Sequence, residues 1–340
     1  MTDSGGAEKG GKSAPFEERA RDIDQDRTLG LDPFRPLHAG CVALCVGQPK
    51  TDQEMKHVAA LWNGRRDVQL RLWGYAVQDF ECLRHFEGLE RLNVEVPIVK
   101  NIDGLKYVVS SLKEFGLANT TVRLSLRPVA ACAKLRSLHL QRQTKDFGEL
   151  KSLTGLEYLG LSGASLTDLS PLLPFEKLRS LFLGFCKPLK LDLLGRFKSL
   201  EALHFIKINN LHDLSALALN TNLQRIELNW LPHVETLPDL SKLTKLEEVE
   251  IDCMKSLRDI SAIAKAPALR FLGLWDCRSL TPESFKCLLK HPTLKHLGFG
   301  VGRLKDNDVI AAMFPEQTSE LVYAKITPGT YLQRPTPSRK

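Results

Sequence analysis

Large apolar residues recur along this chain in one phrase, L-x-x-L-x-L. It stands at Leu135-Leu138-Leu140, Leu156-Leu159-Leu161, Leu178-Leu181-Leu183 and Leu200-Leu203-Phe205. It continues at Leu223-Ile226-Leu228, Leu246-Val249-Ile251, Leu269-Leu272-Leu274 and Leu294-Leu297-Phe299. Weaker copies precede these at Leu70-Leu72, Leu89-Leu92-Val94 and Leu112-Phe115-Leu117. The fourth position of the phrase falls at 70, 92, 115, 138, 159, 181, 203, 226, 249, 272 and 297, a step of 21 to 25 residues. A Leu-rich sequence of random order does not hold such a period. In an extended segment alternate residues point to opposite faces. Positions four and six therefore predict an inward row, and positions three, five and seven an outward one. Each repeat predicts one short strand and cannot bury its own leucines; only stacking on its neighbours closes the core.

The second half of the repeat is also regular. Asp168-Leu169-Ser170-Pro171-Leu172, Asp213-Leu214-Ser215-Ala216-Leu217, Asp239-Leu240-Ser241-Lys242-Leu243 and Asp259-Ile260-Ser261-Ala262-Ile263 repeat one pattern, D-[LI]-S-x-[LI]. It predicts a 3₁₀ or short helical turn in which Asp or Ser satisfies free backbone N–H groups. Thr281-Pro282-Glu283 reads as an N-cap followed by a helix with Phe285, Leu288 and Leu289 inward. Thr51-Asp52-Gln53-Glu54 is a capping-box pattern, and Met55, Val58, Ala59 and Trp62 follow on one helical face. With the apolar run 41–46 this predicts an N-terminal cap or a degenerate first repeat. Asp306-Asn307-Asp308 before Val309, Ile310, Met313 and Phe314 predicts a closing helix that ends at Pro315.

On these residues the chain resembles the leucine-rich repeat family, over roughly 67–300. The D-[LI]-S-x-[LI] half is similar to the 22-residue class found in internalins and in the regulatory subunit of protein phosphatase 1. The resemblance implies an α/β solenoid: a right-handed superhelix with a concave parallel β-sheet and a convex side of 3₁₀ and short helical turns. The expected organisation is a disordered leader (1–36), an N-terminal cap (37–66), about eleven repeats (67–300), a C-terminal cap (301–324) and a flexible basic tail (325–340). Position nine of the family template is Asn or Cys. Cys186 and Cys277 fit, whereas Ala164, Ile208, Leu231 and Met254 do not, so the usual asparagine ladder between turns is expected to be largely missing.

Composition narrows the function. Of 340 residues 59 are leucine and only 7% are aromatic, so leucine fills the core. No apolar run reaches the roughly 18 residues that span a bilayer. The first 30 residues carry both signs of charge and no secretory h-region. The eight cysteines are scattered without a C-x-x-C pair. A reducing cytoplasm, free buried thiols and no zinc site follow as expectations.

The outward positions carry the candidate chemistry. Glu227, Glu248, Glu250 and Asp252 fall on adjacent strands, about 5 Å apart. Phe271 and Trp275 follow on the next strand, and Phe182 and Tyr158 add aromatics further back. Side-by-side like charges cost energy in the free chain, which points to a patch for a basic partner. Aromatics dominate interface hot spots. The expected partner-binding residues are Arg225, Glu227, Glu248, Glu250, Asp252, Phe271 and Trp275. His139 and His204 share position five about 15 Å apart, too far for one metal. An open, wet face does not raise a carboxyl pKa as catalysis requires. No phosphate loop, nucleophile elbow or H-E-x-x-H motif occurs. No catalytic residue, cofactor or metal is expected.

The net charge of +7 does not make a nucleic-acid surface. Among the outward positions Arg71, Arg91 and Arg225 face six acids, and DNA or RNA needs a basic stripe. The function expected is a non-enzymatic module that binds a protein partner, one with a basic and apolar surface, on its concave face. One alternative is an inhibitor or immunity-type protein that blocks a basic enzyme or toxin. An enzyme or effector presenting catalytic groups on the repeats is the alternative of another class. Neither nucleic acid nor a membrane is an expected partner.

Overall fold

The computed structural model describes residues 20–28, 37–187 and 189–318. Among the described residues there are thirteen short strands, β1 to β8 as one run and β9 to β13 as another, each in chain order. Pairing is parallel from β1 through β8 and from β9 through β13. The eleven expected strands are β3 (Gln69–Trp73), β4 (Arg91–Glu95), β5 (Glu114–Ala118), β6 (Ser137–Gln141), β7 (Tyr158–Ser162), β8 (Ser180–Gly184), β9 (Ala202–Ile206), β10 (Arg225–Asn229), β11 (Glu248–Asp252), β12 (Phe271–Trp275) and β13 (His296–Gly300). Each occupies positions three to seven of its repeat. The chain divides into two compact units, one running through Leu200 with 207–209, the other holding Glu201–Ile206 and everything from Asn210.

In the first unit the sheet reaches further back than expected. The run 41–46 yields β2 (Ala43–Val46), in register with β3 through Leu44↔Leu70 and Val46↔Leu72. β1 (Ala20–Asp22) pairs with β2, although 1–36 was expected to be disordered. Side chains explain the difference. Asp22 accepts from the Asp24 N–H, and Asp24 accepts from the N–H groups of Gly47 and Gln48 at 2.7 and 2.9 Å and pairs with Lys50. The rest of the leader and the tail 325–340 lie outside the described residues. Helix Asp52–Trp62 carries the capping box, with Thr51 N–H donating to Glu54 Oε2 and Glu54 N–H to Thr51 Oγ1. Met55, Val58, Ala59 and Trp62 are all buried.

Positions four and six are buried in both units, as Leu159, Leu161, Leu272 and Leu274 show, except that Phe299 at position six of β13 is half-buried. Each buried leucine contributes roughly 1.5–3 kcal/mol, but only once the next repeat covers it. The D-[LI]-S-x-[LI] phrase makes the same turn four times. Asp168, Asp213, Asp239 and Asp259 accept from the N–H of Ser170, Ser215, Ser241 and Ser261 at 2.7–2.8 Å. Short 3₁₀ segments follow at Ser170–Leu172, Ser215–Leu219 and Ile263–Lys265. The Ser241 N–H, with the Ser241 hydroxyl and Lys265, holds the Asp239 carboxyl down to about 2. A carboxylate held below its ordinary 3.8 adds stability above that value, and loses it as pH falls toward about 2. Melting temperature is therefore expected to fall between pH 5 and pH 2. Asp239→Asn, which keeps the Oδ1 acceptor but cannot titrate, should flatten part of that fall in thermal scans. An unaltered slope would contradict this account of the turn.

Two local expectations need correction. In the longest repeat Phe285 and Leu288 point inward, but Leu289 is 50% exposed. The helix Pro282–Phe285 gives way to a 3₁₀ turn at Lys286–Leu288, which rotates Leu289 off the buried face. The closing helix begins earlier than expected and spans Leu304–Met313.

The expected gap left by the asparagine ladder is filled by backbone. Position eight is left-handed at Gly74, Asn119, Arg142, Gly163, Phe185, Lys207, Trp230, Cys253 and Asp276. That conformation turns the position-eight N–H toward the neighbouring strand. Arg142 donates to Ser162 O, Gly163 to Gly184 O, Trp230 to Asp252 O and Cys253 to Trp275 O at 2.7–2.9 Å. Position nine then needs no polar side chain, and Ile208, Leu231, Met254, Cys186 and Cys277 are all buried there.

The cysteines are free: Cys41, Cys45, Cys132, Cys186 and Cys277 are buried, Cys82 and Cys253 half-buried, and Cys287 exposed. Burial pushes the Cys277 thiol up to about 12. Thiol labelling of native protein should be fast at Cys287 and slow at Cys186 and Cys277. Rapid labelling of Cys277 would contradict the assignment of position nine to the core.

Candidate functional site

All seven expected site residues lie on β10, β11 and β12, within the second unit. The register sets Arg225, Glu248 and Phe271 in one row, Glu227, Glu250 and Gly273 in the next, and Asn229, Asp252 and Trp275 in the third. Rows on adjacent strands stand about 5 Å apart. The sheet thus brings the seven together, because a parallel register aligns equivalent repeat positions.

The site closes over Gly273. A Cβ built there would stand 3.1 Å from Trp275 Nε1, 3.4 Å from Glu250 Cγ and 3.4 Å from Phe271 Cε1. The indole, the acidic stem and the phenyl ring therefore converge on one spot, where an added Cβ would fit only tightly. Trp275 and Phe271 are both half-buried, held against the sheet instead of extending into solvent. The Trp275 indole Nε1 is buried and reaches no acceptor among the described residues.

The charges are arranged less uniformly than four acids in a row. Arg225 Nε donates to Glu248 Oε2 and takes up that carboxylate. On β9, His204 Nδ1 lies 3.3 Å from Glu227 Oε2, and Asn229 Nδ2 lies 3.2 Å from His204 Nε2. Burial lowers His204 to about 4, so the ring is neutral at pH 7. One tautomer suits both contacts: Nδ1–H donates to Glu227, and Nε2 accepts from Asn229. Burial raises the Asp252 carboxyl, and the nearby Asp276 adds to the rise. Asp276 itself pairs with Arg278 at 2.6 Å.

The outward face of the first unit differs. Its charges pair with each other, Arg71 with Glu95 at 3.0 Å and Arg91 with Glu114 at 2.8 Å. Phe182, expected on a wet face, is 8% exposed. It packs against the His139 ring at 5.8 Å and covers Gly184. Burial lowers His139 to about 4. Among the described residues no group of three His, Cys, Asp or Glu side chains could hold a metal ion.

Sequence reading passed over two residues of the second unit. Asn229 was legible as position seven of its strand, but not its burial to 5% exposure. Trp230 follows the strand with φ 53° and is 51% exposed. A bulky residue rarely adopts positive φ, at a cost on the order of 1 kcal/mol. Its place just past an L-x-x-L-x-L phrase was the available signal.

This sheet, with its short 3₁₀ returns, is the leucine-rich repeat fold. One solved structure agrees with this fold. The chain matches an internalin from Listeria monocytogenes with a TM-score of 0.51 at 19% identity, covering 90% of this chain and 91% of that one. An internalin C2 from the same organism matches with a TM-score of 0.42 at 22% identity, over 55% of this chain and 80% of that one. A leucine-rich repeat protein from Leptospira interrogans matches with a TM-score of 0.34 at 15% identity, over 83% and 91%. No protein-family model and no curated protein matches the chain. Among the described residues no helix is long and apolar enough to cross a membrane.

Proposed function

We propose that this chain is a non-enzymatic protein-binding module whose partner seats on the outward sheet face of β10–β12. The observation that carries this reading is the convergence of Trp275, Phe271 and Glu250 over Gly273, with Glu227 and Asp252 beside them. A rigid row of strands offers equivalent side chains at fixed spacing, the usual basis of recognition by repeat proteins. An aromatic pair flanked by acids suits a segment in which Lys or Arg adjoins an apolar residue. The free cysteines suit a reducing compartment such as the cytoplasm.

The acids act at a distance, so they raise the rate of encounter more than the affinity. Once a partner is captured, Glu250→Lys should slow association several-fold at low salt, and much less at 0.5 M salt, where screening is nearly complete. Stopped-flow association at the two salt concentrations measures this. A rate that is the same for both proteins at low salt would remove the acids from the site.

A further inference from the structure

We infer that Asn229, Asp252 and Trp275 form a subsite for one cationic side chain of the partner, an arginine guanidinium or a lysine ammonium. The inference rests on the reading of this face as a protein-binding surface, and goes further by naming the group bound. The three residues share position seven of β10, β11 and β12 and stand in register on one face.

Asn229 is the decisive residue. It is 5% exposed, and its Oδ1 is buried with no hydrogen-bond donor among the described residues. A buried carbonyl oxygen in a native fold is normally bonded. Its orientation is fixed from behind: Nδ2 donates to His204 Nε2 on β9, while His204 Nδ1 faces Glu227. With Nδ2 spent on His204 of β9, Oδ1 is the amide atom left to accept a donor, and Asp252 is the neighbour of Asn229 in register on β11. His204 is in this sense a positioning residue. None of the groups that set the ionisation of Asp252 is a cation; they are burial, Cys253 and Asp276.

Among the described residues, an acceptor without a donor therefore stands beside a carboxylate without a basic partner. A guanidinium or ammonium supplies what both lack, several N–H donors and a positive charge. Two indoles stand near these groups in the chain and the register. Trp275 borders it on β12, and the exposed Trp230 follows Asn229 directly, its N–H held by Asp252 O at 2.9 Å. A cation over an indole face gains further. An anion would meet Asp252 and Glu250.

The test reads the indole N–H signals of the full chain, which has four tryptophans. The probes are Nα-acetyl-arginine amide, Nα-acetyl-lysine amide and the neutral Nα-acetyl-citrulline amide. The Trp275 signal, assigned by its loss in Trp275→Phe, should shift saturably with a cationic amide, at roughly millimolar strength for a ligand this small. Citrulline amide should bind at least tenfold more weakly. Asp252→Asn and Asn229→Ala should each weaken the cation at least fivefold. The melting temperature by circular dichroism reports that each variant is folded. Should Asn229→Ala fail to fold, Asp252→Asn decides. No shift at Trp275, equal shifts with citrulline, or no effect of Asp252→Asn overturns the subsite. A subsite that binds the cation while Trp275→Ala leaves partner capture intact sinks the partner reading alone. A partner that needs Trp275 while the amides fail sinks the subsite alone.

Discussion

Replacing Leu272 by aspartate is expected to unfold the repeats around it. Leu272 is fully buried at position four of β12, between Val249 of β11 and Leu297 of β13. The change removes the transfer energy of the leucine and places a carboxylate where no described group can pair with it. Burying an unpaired charge is among the few single changes that reach about 4–5 kcal/mol. A loss of that size lowers the melting temperature by about 10 °C or more. Because each repeat closes the core of the next, the damage should spread to β11 and β13. Leu203→Asp in β9 should behave alike, since Leu203 is 1% exposed and in register with Ile226. Leu304, 84% exposed at the start of its helix, is the control, and Leu304→Asp should melt with the parent. Calorimetry or circular dichroism measures all three. An unchanged melting temperature in Leu272→Asp would contradict the buried assignment.

Trp275→Ala is expected to weaken the partner at least tenfold while leaving the fold intact. The indole lies on the sheet surface over Gly273, not in the core, so its removal exposes that spot without opening a cavity under β12. Interface tryptophans that act as hot spots contribute about 2 kcal/mol or more, and tenfold needs about 1.4. Phe271→Ala should have a smaller effect in the same direction. Equilibrium binding by calorimetry against the captured partner measures the loss. Affinity unchanged within twofold, with the melting temperature also unchanged, would remove Trp275 from the interface.

Most of the fold was legible because stacking forces one decision per repeat. The spacing Leu181-Leu183 marks strand, phase and inward face together, and a one-residue slip would turn every leucine outward. The caps were legible for another reason. Thr51 with Glu54 and Asp168 with Ser170 are local hydrogen bonds, closed within a few residues. Pairings between residues far apart in sequence were hidden. Asp24 meeting Gly47 and Lys50 builds a strand no period announces. Leu289 faces outward because a helix tightens by part of a turn, which apolar spacing does not encode. In the site, the rows of acids and aromatics followed from the period. The neutralisation of Glu248 by Arg225 and the fixing of Asn229 by His204 depend on rotamers, so they appear only in three dimensions.

The most direct measurement places a photoreactive benzoylphenylalanine at single positions of the full chain and irradiates it with the partner. Three positions suffice: 271 on the face of β12, 71 on the face of β3, and 242 at an exposed turn lysine. An adduct with the same partner is expected at 271 and none at 71 or 242. An adduct at 71 or 242 with position 271 silent would contradict it.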